Sequence, residues 1–456
     1  MSLNNKFVEE KENREKEFIE VLHEVQSYLT TNFSTLFTDE ENADNKEQMM
    51  NHIKKYLFDH KLRAKGMSSE DTIQNLINEM TEFSILNPFL DPSRNDIEEI
   101  NINAWNDIKI NYSNGRIESS KEHFFSPEHC ENIIRRLLSR ESKMVLDKSR
   151  PIVRGHLSSK IRITVMGDGV IDSNVGIAAS LRIVNPKQLK KENFISNGTA
   201  TNQMITLLEV LLQNGTSMCI TGETNSGKTT LMSYLLTTIP YEKRIFTIEE
   251  DVREFNLVVT DKNGKVLNNV VHTRTKKSDD PVKVIDQEKL LETALTMNPD
   301  VICVAEMKGK ESFAAQEAAN TGHTVITTTH ANSCRATYSR MADLCKGNTN
   351  MDNQSLIDKA KNAFPIVVFI KKYKDNIRRV KEITECVQDE NGETKIVTLF
   401  RYRVLKEKKD ENGNVIALEG KFEKIHEISE NLKNLLIEEA VSEDLLELIV
   451  NKEEVI

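Results

Sequence analysis

Residues 219–236 read CITGETNSGKTTLMSYLL, in which an apolar run leads into a glycine-containing turn and then into an amphipathic helix. The pattern Gly-x-x-x-x-Gly-Lys-Thr between a strand and a helix is typical of a phosphate-binding loop. Its glycines let backbone N–H groups approach a phosphate, and the positive end of the following helix faces the same point. The sequence therefore predicts a nucleotide site formed by Gly222, Glu223, Thr224, Asn225, Ser226, Gly227, Lys228, Thr229 and Thr230.

The cofactors expected at this turn are ATP and Mg²⁺. In a loop of this kind the lysine, Lys228, contacts the β and γ phosphates, and the hydroxyl of Thr229 is a ligand of Mg²⁺. Thr230 is expected to support either the helix or the α phosphate.

The composition of the 456-residue chain limits the classes of protein to which it can belong. This length predicts two to four domains. Its 61 Lys and Arg residues stand against 71 Asp and Glu, and the net charge of -10 argues against bulk attraction to nucleic acid. Six cysteines without C-x-x-C spacing indicate buried thiols in a reducing compartment. Because neither a signal segment nor a long apolar run is present, we expect a cytoplasmic protein that reaches the cytoplasmic membrane through partners.

Changes in sequence pattern predict five segments. Charged residues with helical spacing give way to alternating isoleucines (Ile100 and Ile102, then Ile108 and Ile110), a polar linker, and apolar strands that alternate with helices. Such alternation is typical of crossover units on a parallel sheet. The predicted segments are a loosely attached helical region (1–85), an α+β domain (86–185), a linker (186–201), the phosphate-loop domain (202–390) and a C-terminal hairpin and helical region (391–456).

Acidic residues follow two of the predicted strands. The run IFTIEED ends at Glu249, Glu250 and Asp251, and DVICVAE ends at Glu306. Hydrolysis of a Mg-nucleotide needs one carboxylate near the metal and another to orient water, both on neighbouring strand ends. These acids are therefore candidate catalytic residues, and Glu306 is a candidate metal ligand beside Thr229.

Two histidines flank a third strand, in the run NTGHTVITTTHANS. His323 precedes it and His330 follows it. We interpret both as candidates for contacts to the γ phosphate or for coupling, because the carboxyl end of this strand is expected at the phosphate-binding edge of the sheet. Strand-end histidines can also simply cap turns.

Together these segments resemble a superfamily of hexameric ATPases that energise type II secretion, type IV pilus and type IV secretion machines. The motifs that carry the resemblance are GETNSGKTT, TIEEDVREF, MNPDVICVAEMKG and AANTGHTVITTTHANS, in the family's order and spacing. The run ILNPFLDPSRNDIEEINI extends the likeness upstream. The resemblance implies an α/β protein, namely a RecA-like P-loop ATPase core with a preceding α+β domain and a helical N-terminal lead-in. The run TGHTVITTTHANS, the helical lead-in and an IRRVKEITE hairpin after the core favour the tight-adherence (Flp) pilus branch and related type IV secretion. The absence of a tetracysteine zinc insertion argues against the typical type II secretion branch.

The resemblance also implies roles for single residues. Glu306 would organise Mg²⁺ through water, and Glu249 would activate the attacking water. Glu250 stands where many relatives have aspartate, so the division of roles between these neighbouring acids stays open. His323 and His330 match the two histidine positions of the family.

Arginines supplied by a neighbouring domain or subunit typically stabilise the transferring phosphoryl group. Arg182 occupies the family position just before the linker, and Arg274 and Arg162 are further candidates. The family often has Gly and Arg where this chain has Ala305 and Lys308. Because Lys lacks the bidentate fork of Arg, no role is assigned to Lys308.

The function implied is Mg-dependent ATP hydrolysis by a homohexameric motor. It would act on a polytopic inner-membrane platform protein of a pilus or secretion machine, without direct contact to nucleic acid. Two alternatives remain, namely a DNA-directed RecA-like motor of a conjugation or packaging system and a nucleotide-gated scaffold with little turnover. The acidic composition counts against the first, and the set of acids counts against the second.

Overall fold

The computed structural model describes most of the chain. The described residues are 14–37, 43–91, 94, 96–113, 115–142, 144–158, 160–183, 189–250, 253–276, 280–389, 393–411 and 413–450. They divide into two compact units, Met1–Ile183 and Val184–Ile456.

The first unit contains five helices and eight strands among its described residues. Its elements are β1 (Arg14–Lys16), α1 (Phe18–Asn32), α2 (Ala43–Asp59), β2 (Leu62–Ala64), α3 (Ser69–Thr81), α4 (Asn87–Leu90), β3 (Ile97–Ala104), β4 (Asp107–Tyr112), β5 (Ile117–Ser119), α5 (Pro127–Ser142), β6 (Ile152–His156), β7 (Ile161–Met166) and β8 (Ala178–Ile183).

Helices α1, α2 and α3 share a small apolar core of their own that includes Val25, Ile53 and Leu76. This region is tied to α5 by polar contacts. His129 Nε2 lies 3.0 Å from Glu79 Oε2, and Arg136 Nη1 donates to the carbonyls of Glu79 and Glu82 at 2.8 Å. The two side chains of the first pair are nearly buried. The predicted helices are confirmed, but the expectation of a loose attachment is wrong, because α5 satisfies carbonyls at the end of α3 that no helical N–H can reach.

The α+β part of the first unit is an antiparallel sheet with strand order β5-β4-β3-β8-β7-β6. Ile100 pairs with Ile110 and Ile102 pairs with Ile108, and all four side chains are buried. They pack with Ile134 and other apolar residues of α5 in one core. The strands predicted from the alternation of isoleucines are therefore confirmed. The four isoleucines share one face, since successive side chains of a strand point to opposite faces.

The second unit holds nine strands and nine helices in its described part. Its elements are α6 (Lys191–Ser196), α7 (Asn202–Gln213), β9 (Met218–Gly222), α8 (Lys228–Thr237), β10 (Ile245–Glu249), β11 (Val270–Arg274), α9 (Gln287–Thr296), β12 (Val301–Val304), α10 (Glu311–Asn320), β13 (Thr324–Thr329), α11 (Cys334–Cys345), α12 (Asn353–Ala363), β14 (Ile366–Lys372), β15 (Arg378–Gln388), β16 (Thr394–Lys409), β17 (Val415–Lys424), α13 (Glu430–Glu438) and α14 (Glu443–Val450).

These strands form one sheet in the order β11-β10-β12-β13-β9-β14-β15-β16-β17. The first six are mutually parallel, and β15, β16 and β17 continue the sheet in antiparallel pairs. Helices cover both faces of the parallel part, which explains why its inner strands β9, β10, β12 and β13 are buried along their whole length. The predicted α/β class is confirmed.

Alternate residues of the parallel strands enter two apolar cores. Met218 and Ile220 of β9 pack with α7, α8, α13 and α14, whereas Cys219 packs on the other face with α9, α10 and α11. Burial raises the pKa of the Cys219 and Cys303 thiols, so both cysteines remain neutral core residues. The carboxyl ends of six strands are thereby held at one edge of a sheet that is packed on both faces.

Secondary structure is present at two of the predicted domain boundaries. Part of the predicted linker, 186–188, lies outside the described residues, and the remainder includes α6, whose Phe194 is buried beside the Tyr234 ring. β15 and β16 pair across the predicted boundary at 390. Among the described residues no helix has both the length and the apolar character needed to cross a membrane.

Adjacent leucines of α13 test whether the C-terminal helices belong to this core. Leu436 is fully buried in the core that contains α7 and α8, whereas Leu435 is 39% exposed. We expect Leu436→Ala to lower the free energy of unfolding by about 2–5 kcal/mol and Leu435→Ala by less than about 1 kcal/mol. Thermal and denaturant unfolding measure the difference, and equal stability of the two variants would contradict the packing.

Candidate functional site

The phosphate loop connects the buried strand β9 to α8. Gly222, Asn225 and Gly227 have φ angles of 152°, 65° and 97°, a region that favours glycine and tolerates asparagine. A Cβ atom on Gly222 would lie 2.2 Å from the carbonyl oxygen of Ile370 on β14. The first glycine is therefore required by the close approach of a neighbouring strand as well as by the turn.

Lys228 begins α8 and is buried, with 7% of its surface exposed. Its Nζ donates to the carbonyls of Gly222 and Glu223 at 3.1 and 2.9 Å. Thr229 and Thr230 follow in the first turn of the helix. Ser226 Oγ is buried and has no hydrogen-bond partner among the described residues. The loop thus gathers a cation, hydroxyl groups and the helix N-terminus, which is the donor set that a phosphate requires.

His330 connects this loop to the candidate metal ligand Glu306. It directly follows β13, and its Nδ1 lies 3.0 Å from the Gly222 carbonyl and 3.3 Å from Lys228 Nζ. Its Nε2 lies 3.0 Å from Glu306 Oε1. The structure therefore brings together three residues that the sequence analysis names from three separate motifs, Lys228, Glu306 and His330.

The segment after Glu306 is fixed by a nearly buried acid, Glu311. Its Oε1 accepts from the backbone N–H groups of Lys308 and Gly309 at 2.7 and 2.8 Å. Gln287, with its amide oriented to satisfy both neighbours, donates at 3.2 Å to the same oxygen and to the Glu306 carbonyl. Neither residue figures in the sequence analysis. The available signal is the position of Glu311 in the first turn of a helix, where a carboxylate is favoured.

Glu249 and Glu250 lie in different surroundings although they are adjacent. Glu249 is fully buried at the end of β10. Its carboxylate accepts from the Thr247 hydroxyl at 2.7 Å and from the backbone N–H groups of Glu254 and Phe255, and it lies 3.0 Å from His272 Nδ1. Asp251, the third acid of this motif, lies outside the described residues.

The Glu250 side chain is partly exposed and pairs with Lys308. Lys308, to which the sequence analysis assigns no role, thus links the segment after β10 to the segment after β12. It keeps the positive charge of the arginine found in the family, but it presents one ammonium group in place of a planar fork.

Two other candidates of the second unit lie away from the phosphate loop of their own chain. His323 precedes β13 and is separated from its carboxyl end by the length of the strand, roughly 20 Å. Arg274 is exposed at the end of the edge strand β11, which lies four strand positions from β9, about 19 Å across the sheet. Only a residue at the carboxyl end of a parallel strand lies at the same edge of the sheet as the phosphate loop. His323 stands at the opposite end of β13.

The remaining candidates, Arg162 and Arg182, belong to the first unit. They are direct cross-strand partners on β7 and β8, and Arg182 is also paired with Glu99 on β3. Directly paired residues project from the same face of a sheet, so the two arginines form one cationic position next to a carboxylate.

Comparison with known protein families identifies the family to which this chain belongs. A family model described as "Type II/IV secretion system protein" matches residues 129–441, more than half of the chain. The chain belongs to the type II/IV secretion system protein family.

Relatives of this family member match it over part of their length. An uncharacterized protein of Bacillus anthracis, pXO2-25, is 24% identical over 288 residues, which are 63% of this chain and 61% of that protein. The type IV secretion system protein PtlH of Bordetella pertussis is 35% identical over 144 residues, 31% of this chain and 40% of PtlH. VirB11 of Brucella suis is 38% identical over 124 residues, 27% of this chain and 33% of VirB11. The chain thus spans less than two thirds of each of these relatives.

Two solved structures are also similar to this family member. One is the VirB11 ATPase of the Brucella suis type IV secretion system in complex with sulphate, with 23% identity, coverage of 66% and 95% of the two chains and a TM-score of 0.32. The other is the pilus retraction motor PilT with bound ADP, with 16% identity, coverage of 81% and 90% and a TM-score of 0.47.

The different surroundings of Glu249 and Glu250 can be tested by replacing each of them with glutamine. In Glu249→Gln an amide NH₂ replaces a carboxylate oxygen that faces only donors, so we expect the free energy of unfolding to fall by about 2 kcal/mol or more. Glu250→Gln breaks a partly exposed ion pair and is expected to cost less than about 1 kcal/mol. Denaturant unfolding measures both changes. If Glu249→Gln keeps full stability and loses only turnover, the buried carboxylate is catalytic and not a clamp.

Proposed function

We propose that this chain is a Mg²⁺-dependent ATPase that works as a hexameric motor of a type IV secretion or pilus machine. The observation that carries the proposal is the meeting of Lys228, Glu306 and His330 beside the phosphate loop. Membership of the secretion family and the match to PtlH and VirB11 support it. Within this class, the tight-adherence pilus branch is our proposal from the sequence motifs alone.

The residues present fit Mg-ATP. Glycine at 222 is sterically required, the loop adopts left-handed conformations, and the Lys228 ammonium is held on loop carbonyls that a phosphate can replace as acceptors. Lys228 would bind the β and γ phosphates, and Thr229 with Glu306 would hold Mg²⁺. The bound metal would neutralise charge on the phosphate oxygens.

The side chains around the loop have separable tasks in this proposal. His330 would keep Glu306 in register with the loop, because the imidazole contacts both. The Glu250–Lys308 pair connects the two acidic segments and would move with them. Glu249 and His323 stay candidate catalytic residues from the sequence, the first held in a buried hydrogen-bond network and the second at the opposite sheet edge.

We propose that one of the three arginines Arg162, Arg182 and Arg274 stabilises the transferring phosphoryl group. The positive charge of such an arginine would stabilise the negative charge on the phosphate oxygens in the transition state. The ring would act at the cytoplasmic face of the membrane on a polytopic platform protein.

Removal of the lysine tests the enzymatic part of the proposal. We expect Lys228→Ala to lower the rate of phosphate release by about a thousandfold or more, since it removes the cation that contacts the β and γ phosphates. The matched control is Lys346→Ala, an exposed lysine at the end of α11, which should leave the rate unchanged. Chelation of Mg²⁺ with EDTA should abolish turnover in the unmodified protein. Normal phosphate release by Lys228→Ala would refute the proposal.

Replacement of the candidate metal ligand tests the role of Glu306 separately. We expect Glu306→Gln to bind ATP and to retain it without hydrolysis, because the amide keeps the size of the side chain but loses its charge. Filter binding with labelled ATP, followed by analysis of the retained nucleotide, measures this. Recovery of ADP at the rate of the unmodified protein would contradict the assignment.

Light scattering of the same variant with Mg-ATP tests the ring, for which a sixfold mass is expected.

A further inference from the structure

We infer that Arg378 is a positioning residue of the phosphate loop, and this inference rests on the proposed function. Arg378 is the first residue of β15 and lies 153 positions along the chain from its partner in the loop. Its Nε donates to the carbonyl oxygen of Asn225 at 2.9 Å. Asn225 lies in the middle of the loop and has the left-handed φ of 65°.

The contact fixes a peptide unit, not only an oxygen. The peptide group is planar with its C=O and N–H on opposite sides, so a fixed Asn225 oxygen also fixes the Ser226 N–H. That N–H closes the turn on the Glu223 carbonyl at 3.3 Å. Arg378 therefore stabilises the loop in a conformation that costs free energy for a residue other than glycine.

The aliphatic part of the same side chain packs on the second glycine of the motif. A Cβ atom on Gly227 would lie 3.2 Å from Arg378 Cδ. Gly227 is the left-handed N-cap of α8, directly before Lys228. Arg378 thus covers the loop at Gly227 and holds it at Asn225, two contacts on either side of Ser226.

The turn that carries Arg378 is itself rigidly held. Arg379, the next residue, forms a bidentate ion pair with Asp375 at 2.9 and 2.8 Å, and both side chains are buried. Asp375 also accepts from the backbone N–H of Leu418 on β17. The Arg379 guanidinium lies over the rings of Tyr373 and Tyr402, 5.4 and 5.0 Å from their centroids. Contacts to β16 and β17 therefore hold in place the backbone from which the Arg378 side chain extends.

Two substitutions separate positioning from a direct charge effect. In Arg378→Gln the amide nitrogen stands at the same number of bonds from Cα as Arg Nε, so the donor to Asn225 is kept while the charge is lost. In Arg378→Met the packing over Gly227 is kept, but both donor and charge are lost. Arg403→Met, an exposed arginine on the neighbouring strand β16, is the control for the change in net charge.

Equilibrium binding of a non-hydrolysable Mg-ATP analogue and steady-state turnover are then measured for the full chain. We expect Arg378→Met to raise the Kd and KM about tenfold, with kcat at saturation changed by less than about twofold. Arg378→Gln should stay within about threefold of the unmodified protein, and Arg403→Met should match it. Equal melting temperatures of all variants should accompany these values.

Two results would overturn the inference. Unchanged analogue affinity in Arg378→Met would remove the positioning role. Equal weakening in the Gln and Met variants, with a loss that shrinks at high salt, would show that the guanidinium acts on the nucleotide through its charge. Failure of both the unmodified protein and Arg403→Met to bind the analogue would refute the proposed function itself. Normal binding by these two proteins, together with unchanged binding by Arg378→Met, would refute only the positioning role.

Discussion

The place of β13 in the sheet determines the geometry of the whole candidate site. β13 lies between β9, which carries the phosphate loop, and β12, which precedes Glu306, and the three strands are parallel. The residue that follows β13 therefore stands between the two functional segments. His330 occupies this position and contacts both at 3.0 Å. With one more strand between them, a further spacing of about 4.8 Å would put both contacts beyond the reach of one imidazole.

Burial separates the acids of this edge into two groups. Glu249, Glu311 and Asp375 are buried, and each accepts from two backbone N–H groups that would otherwise lack partners. Glu250 and Glu306 retain about a third of their side-chain exposure and face Lys308 and His330. A satisfied buried carboxylate stabilises a loop, whereas a partly exposed one can exchange its partner for a metal or water. Sequence position cannot distinguish these roles, since Glu249 and Glu250 are adjacent.

Local patterns predict this fold well where one motif contains all the information. The glycines, lysine and threonines of the loop are contiguous, and the apolar runs of β9, β10, β12, β13 and β14 correspond to buried parallel strands. β11 is absent from the prediction because its residues, VVHTR, are only partly buried at the edge of the sheet. The helix α6 is also missed, because its polar residues resemble those of a linker.

The site residues that the sequence analysis misses act through contacts between distant segments. Glu311 and Gln287 meet only after α9 and α10 have packed beside β12, and Arg378 reaches Asn225 only across a strand pair. His323 is predicted for the opposite reason, namely that a motif contains two histidines, whereas strand direction brings only the second to the loop. Sequence spacing within a motif thus indicates which residues are near in the chain, and the sheet order decides which of them share an edge.

The phosphate loop borders both halves of the sheet, and this limits how it can change shape. On one side the parallel half supplies His330, and on the other β14 approaches so closely that only glycine fits at 222. β14 is also the strand on which the antiparallel half begins, and its turn to β15 is fastened to β17 through the buried Asp375. The loop cannot move outward on that side unless the turn moves with it. The turn is connected to β17 by the hydrogen bond from the Leu418 N–H to Asp375 and to the loop by Arg378, and its own shape is held by the buried Arg379–Asp375 pair. A buried pair of this kind resists separation more strongly than an exposed one, because a lone buried charge is costly.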